Sequence, residues 1–346
     1  MASIISGSPA MALEHDVLSC YKHLLGDMAD IERQKGKVWL ADTSWITRDL
    51  IHGHDRPVYL GHICIIQAAV LWRECRVVYA YDPALAGVLV GQDMPEVPCE
   101  ALRHLPQWCT CITGFDPTGQ YIALYAYIDC DELVLLWQTR HGKYHYDILT
   151  LTPGADVRQA IRGSNRKTMA LWGSRHMPGY GGGEYNYGAR TGVPDDPEFI
   201  PRRVDATRAV RGINLLLYLC ADNAETHCAT SRPPRVSTPD KPADVPLPTK
   251  MTSYQVGIRI GAAIRKAVQA DSAAAGSAPG HHASPAPHVR RAHYATYWTG
   301  PGRTIPVVRW IQPVLVGVRQ ADQTISTVVR PVLPDASTDK DGALQP

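Results

Sequence analysis

Leu13, Val17, Tyr21, Leu24, Leu25, Met28 and Ile31 recur at helical spacing, so residues 13–34 read as an amphipathic helix. The run LGHICIIQAAVLWREC at 60–75 is apolar on most sides and reads as a more buried helix, with RVVYAYD at 76–82 as a short strand behind it. From Phe115 the period changes. FDPTG at 115–119 is turn chemistry. YIALYAYID (121–129), ELVLLWQTR (132–140) and KYHYDILTL (143–151) then read as an antiparallel meander with short polar turns. The clearest helix is DATRAVRGINLLLYLCADNAE at 205–225, where Asp205 offers an N-cap oxygen and Leu215, Leu216, Tyr218 and Leu219 face a core. SYQVGIRIGAAIRKAVQA (253–270) opens with strand alternation and goes on at helical spacing, which predicts a strand turning into a helix near Gly261. TIPVVRWIQPVLVGV, ending at Val318, is rich in β-branched residues and predicts one or two strands interrupted by Pro306 and Pro313. The expected fold class is therefore α+β: antiparallel sheets with packed helices in two subdomains, the 209–222 helix buried against a sheet.

Breaker residues divide the chain. Pro95, Pro98 and Pro106 mark a loop-rich connection to Trp108-Cys109-Thr110-Cys111, whose CxC reads as two small buried thiols. HMPGYGGGEYNYG (176–188) reads as a flexible loop; no GxxxxGK[ST] is present, so it is not a phosphate loop. SRPPRVSTPDKPADVPLPTK (231–250) holds six prolines and predicts an extended strap, and DSAAAGSAPG (271–280) a tether. The expected division is an acidic N-terminal α+β domain with the meander (1–157), a basic glycine-rich region (158–204), a C-terminal α+β domain carrying the strap (205–332) and a disordered tail (333–346).

Composition sets outer bounds. At 346 residues, with 45% hydrophobic and 20% charged residues, the chain is of globular type. No apolar run approaches the ~18 residues that span a bilayer, and the first residues lack a signal-peptide pattern. Nine irregularly spaced cysteines suit reduced thiols in a cytoplasm. The net charge of +2 hides an asymmetry: 11 Lys and Arg against 19 Asp and Glu in 1–157, then 24 against 14 in 158–346. The halves dock on one another, or the basic half faces an anionic partner.

Charge and aromatics concentrate in one place. No Asp or Glu lies between Asp271 and Asp322, and that interval holds His288, Arg290, Arg291, His293, Tyr294, Tyr297, Trp298, Arg303 and Arg309. Guanidinium forks among aromatic faces suit carboxylates, phosphates, bases or peptide backbone. His288, Arg290, Arg291, His293, Tyr297, Trp298 and Arg309 are the candidate partner-binding residues. The competing reading pairs the arginines with acids elsewhere and puts the aromatics in a core. A second basic segment holds Arg158, Arg162, Arg166, Lys167 and Arg175. Segments 158–175 and 288–309 would together serve an RNA-binding protein or a ribonuclease, with His288 and His293 as acid and base. No GxSxG, HExxH, Walker loop or CxxC is present, and His52, His54 and His62 match no ligand spacing. No catalytic residue, metal ligand or cofactor is assigned, and an enzyme is the less favoured class. A structural or assembly protein of a mobile element is a third reading.

A resemblance narrows these. INLLLYLCADNAE (213–225), YQVGIRIGAAIR (254–265), HHASPAPHVRRAHYATYWTGPGR (281–303) and VVRWIQPVLVG (307–317), in that order and with a proline-rich strap between the first two, resemble a plasmid- and phage-borne family whose named member is a type V-A anti-CRISPR protein. The S-P-x-P-H-x-R-R-x-H-x-x-x-Y-W pattern carries most of the likeness, with Tyr294 where the family would have Trp. The resemblance implies silencing of the type V-A effector nuclease: its N-terminal polypeptide is recognised as it is made, and its message is lost. The implied partner is that polypeptide, with the ribosome or RNA as further contacts, no membrane and no cofactor.

Overall fold

The structure, a computed structural model, describes residues 8–20, 60–129, 131–164, 182–186, 204–229, 236, 238–239, 241, 247–275, 288–290 and 292–316. Its helices are α1 (Pro9–Cys20), α2 (Leu60–Arg73), α3 (Pro83–Val90), α4 (157–164), α5 (Ala206–Cys220) and α6 (Ile258–Ala275). Strands β1 (Val77–Tyr81), β2 (Cys109–Thr113), β3 (Tyr121–Asp129), β4 (Glu132–Thr139), β5 (Lys143–Thr150), β6 (Gly182–Asn186), β7 (Thr226–Cys228) and β8 (Thr252–Val256) form one sheet in the order β6-β5-β4-β3-β2-β1-β8-β7. The expected meander is β3–β5, antiparallel throughout. β1 pairs in parallel with both β2 and β8, so the α+β class holds around a mixed sheet. The sheet draws strands from both sides of the 158–204 segment, and one buried cluster runs from Ala10 to Trp310 across the expected division.

Helices cover both faces of the sheet, which explains its near-continuous apolar strands. Tyr127 Oη donates to Gln67 of α2 (2.8 Å), which places α2 on the Tyr127 face. Tyr127 pairs with Val134, so Leu135 and Trp137 point the other way, where Gly212 brings α5 against them without a side chain between. Asp147 lies opposite Leu135 on that same face, and its carboxylate takes Nε and Nη2 of Arg208 (2.7 and 2.9 Å) and the backbone N–H of Asp205 (3.0 Å). Asp205 caps α5 by accepting from the Arg208 N–H (3.0 Å). The start of α5 is thus pinned to β5 by polar bonds and its body by apolar burial. Ile213 through Tyr218 are all buried, as on a helix enclosed from every side.

Several elements differ from expectation. Gly182–Asn186 is a strand paired to β5, where 176–188 reads as a loop. Glycine lowers strand propensity, and only the partner strand supplies the pairing. The strand-to-helix switch falls at Gly257 (φ 71°), four residues before Gly261. The Glu225 carboxylate accepts from the N–H groups of Arg259 and Ile260 (both 3.1 Å), fixing where α6 begins. α1 begins at Pro9, where a missing N–H costs nothing; residues 21–34 of the expected helix lie outside the described residues. Eight-residue α3 is too short to show a period, and its signal is Asp82 as N-cap before Pro83. Cys109 and Cys111 lie fully buried on β2, where burial holds both thiols well above their ordinary range. Among the described residues no helix is long and apolar enough to cross a membrane, and no three His, Cys, Asp or Glu side chains gather to hold a metal. His52, His54, most of the 231–250 strap and the 333–346 tail lie outside the described residues.

Candidate functional site

Within the acid-free interval, the described residues 288–290 and 292–316 form a long hairpin. β10 (His293–Thr299) pairs antiparallel with β11 (Ile305–Ile311), from His293↔Ile311 to Thr299↔Ile305. β9 (His288–Arg290) pairs with β12 (Val314–Val316), from Arg290↔Val314 to Val316↔His288. Two residues separate Arg290 from His293 and two separate Ile311 from Val314, so the register carries straight through both ladders. Pro313, which has no N–H to offer, stands in the break between them. Pro306 is the reverse case: it reads as an interruption but lies within β11, opposite Trp298. The tip turns through Gly300 (φ 76°) and Gly302 (φ 68°), and Arg303 also takes a positive φ (54°).

Strand alternation decides which candidates share a face. Tyr294, Thr296 and Trp298 on β10 face the same way as Trp310, Val308 and Pro306 on β11. This inner face lies on α5. Trp310 is 2% exposed and meets Tyr218 edge-on at 5.5 Å between ring centroids. Tyr294 Oη donates to the carbonyl of Asn214. Burial pushes the Tyr218 phenol up to about 12 and Tyr294 well above the ordinary range, so both stay neutral. The Tyr218 hydroxyl accepts from the Glu225 N–H (3.1 Å). Tyr294 is thus a docking residue, which explains an aromatic with a hydroxyl at that position.

Towards the tip the core runs out. Trp298 remains 49% exposed although it lies on the inner side, and Ile305 is 50% exposed. His293, Tyr297 and Arg309 occupy the outer face, with Tyr297 50% exposed. The Arg309 guanidinium lies 5.7 Å from the Tyr297 ring centroid and bonds Asp222 through Nε and Nη2 (3.2 and 2.9 Å). Both partners of that ion pair are half exposed, so it contributes at most about 1 kcal/mol. The structure brings Tyr297, Arg309 and His293 onto one side and turns Trp298 to the other. His288 and Arg290 lie on β9, and Arg291 lies outside the described residues.

Two residues that sequence reasoning passes over complete the arrangement. Asp222 N–H donates to the Val308 carbonyl (2.9 Å). Asn223 accepts from the Trp310 N–H (3.0 Å) and donates Nδ2–H to the Trp310 carbonyl (2.8 Å). Their signal is the Asp-Asn pair just past the end of α5, a common place for such local bonding. In the second basic segment Arg158 is paired with Glu96 (3.4 Å), and 165–175 lie outside the described residues.

The chain matches the AcrVA2-like profile, described as the anti-CRISPR type V subtype A2 family, over residues 79–318. The crystal structure of AcrVA2 superposes with a TM-score of 0.50 at 15% identity, covering 90% of this chain and 100% of that one, a likeness of fold. No curated protein matches.

Proposed function

The chain belongs to the anti-CRISPR type V subtype A2 family, and from that premise we propose that it captures an extended polypeptide on the 288–316 hairpin. The family supports an anti-CRISPR function. The target in this reading is the N-terminal polypeptide of a type V-A effector nuclease, met as it leaves the ribosome, with loss of the message following through the ribosome or a host nuclease. The protein would be a mobile-element product that needs no chemistry of its own.

The observation that carries the reading is the hairpin tip. Three large apolar side chains, Tyr297, Trp298 and Ile305, are half exposed within a segment that has no acid, on a base held to α5 by Trp310 and Tyr294. Exposed aromatics beside an arginine on a rigid support are what interface hot spots are made of. A phosphate-binding surface asks for unpaired cations, and in the two basic segments Arg309 is engaged by Asp222 and Arg158 by Glu96, which leaves Arg162 and Arg303 exposed among the described residues.

The full-length protein should therefore bind a synthetic peptide carrying the N-terminal residues of a type V-A effector nuclease. Fluorescence anisotropy should give a dissociation constant that changes less than about threefold between 50 and 200 mM salt. A surface neutralising many phosphates would lose about a thousandfold or more over that range. Tight binding of single-stranded RNA with such a salt slope, and none of the peptide, would replace this reading with the RNA-binding one.

A further inference from the structure

The two strands of the hairpin tip differ in what their outer edges meet. On β11, Val308 and Trp310 turn their backbone groups away from β10, since Asp222 and Asn223 bond them from outside. Pro306, next in that outward series, has no N–H to present. Along the outer edge of β11 the Val308 C=O and both backbone groups of Trp310 are therefore taken, and Pro306 offers no donor.

Antiparallel alternation then fixes β10. Residues 307, 309 and 311 bond inward to 297, 295 and 293, so Tyr294, Thr296 and Trp298 turn their N–H and C=O groups to the opposite edge. Among the described residues nothing meets these groups. Among the described residues the result is an open edge of alternating donors and acceptors, repeating about every 6.8 Å. Charge does not protect it in the way edge lysines commonly do, because its side chains are Tyr294, Thr296 and Trp298.

We propose that the partner polypeptide adds to this edge as a further strand beside β10, antiparallel or parallel, pairing with Thr296 and Trp298. The inference rests on the peptide-capture reading and locates the contact within it. Only an extended polypeptide supplies alternating N–H and C=O groups at strand spacing; an RNA backbone offers phosphate acceptors and 2′-hydroxyls at a different repeat. The added strand would have Tyr297 and His293 flanking one face and Trp298 the other, so its alternate side chains meet aromatic surface on both sides. The acid-free interval from 272 to 321 favours a partner segment that is apolar or acidic over a second copy of this chain, which would bring the same arginine-bearing, acid-free segment against itself.

Hydrogen exchange of the full-length protein, read by amide with and without the effector N-terminal peptide, tests this. In the free protein Ala295 and Tyr297 should already be protected and Thr296 and Trp298 should not. With saturating peptide, Thr296 and Trp298 should slow by about a hundredfold. Thr296→Pro, which keeps the bonds to β11, should weaken binding at least tenfold, and Thr296→Val, which keeps the N–H, should leave it within about twofold. Peptide binding that leaves Thr296 and Trp298 exchange unchanged overturns the edge and spares the capture reading. No peptide binding overturns both. Protection of those amides that grows with protein concentration alone assigns the edge to a second copy and overturns the proposal.

Discussion

Arg208→Met should destabilise the protein by about 3–5 kcal/mol, because it strands a carboxylate that has no exposure to water. Asp147 is wholly buried, and the Arg208 side chain that pairs with it is 14% exposed. Burial drives the Asp147 carboxyl up from its ordinary value, while the Arg208 fork and the Asp205 N–H draw it down. Removing the fork leaves burial opposed by a single N–H. The same change loosens the first turn of α5, whose cap, Asp205, also bonds Asp147. Asp147→Asn with Arg208→Met should recover much of the loss, because no buried charge then lacks a partner. Urea denaturation of the single and double variants checks this. Equal losses in both would mean that the pair contributes through packing and not through charge.

Trp310→Ala should abolish partner binding without unfolding the main sheet. The indole fills the contact between β11 and Tyr218, and truncating a buried Trp commonly costs about 3–5 kcal/mol. The hairpin is joined to the rest of the described protein through buried Trp310 and Val308, the Tyr294 hydroxyl on Asn214, the Arg309–Asp222 ion pair, and the bonds from Asp222 and Asn223. Losing one of them should appear as local opening. Amide exchange should rise across 293–311 and stay unchanged in β3–β5. Trp298→Ala makes the contrast, since it removes an exposed ring and should weaken binding with exchange unaltered. A cooperative loss of the whole fold in Trp310→Ala would show instead that the hairpin and the sheet form one folding unit.

Much of this architecture is legible in the chain. The meander shows because its period is 2 over three consecutive strands, and α5 because an N-cap precedes fifteen residues of helical pattern. What escapes is structure whose cause lies far away in sequence. β6 is a strand because β5 offers it an edge, although three glycines argue locally for a loop. β8 lies one strand in from the edge of the sheet, beside β1, because Thr252–Val256 pairs in parallel with Val77–Tyr81, and no local feature announces a parallel partner 175 residues distant. In the hairpin, composition picks out the aromatics but does not sort them. Alternation sends Tyr294 and Trp310 into the core side and Tyr297 outward, and Trp298 stays half exposed only because α5 does not reach the tip. Asp222 and Asn223 read as the end of a helix and act as the lid on an edge.

The claim that the hairpin tip is the recognition surface stands on Tyr297 and Trp298. Titrating the effector N-terminal peptide into a Tyr297→Ala, Trp298→Ala protein, with thermal melting recorded on the same sample, tests it directly. The expected result is an affinity lower by about a hundredfold or more, as for the loss of two anchor aromatics, with an unchanged melting temperature. Undiminished affinity in a folded double variant would contradict it.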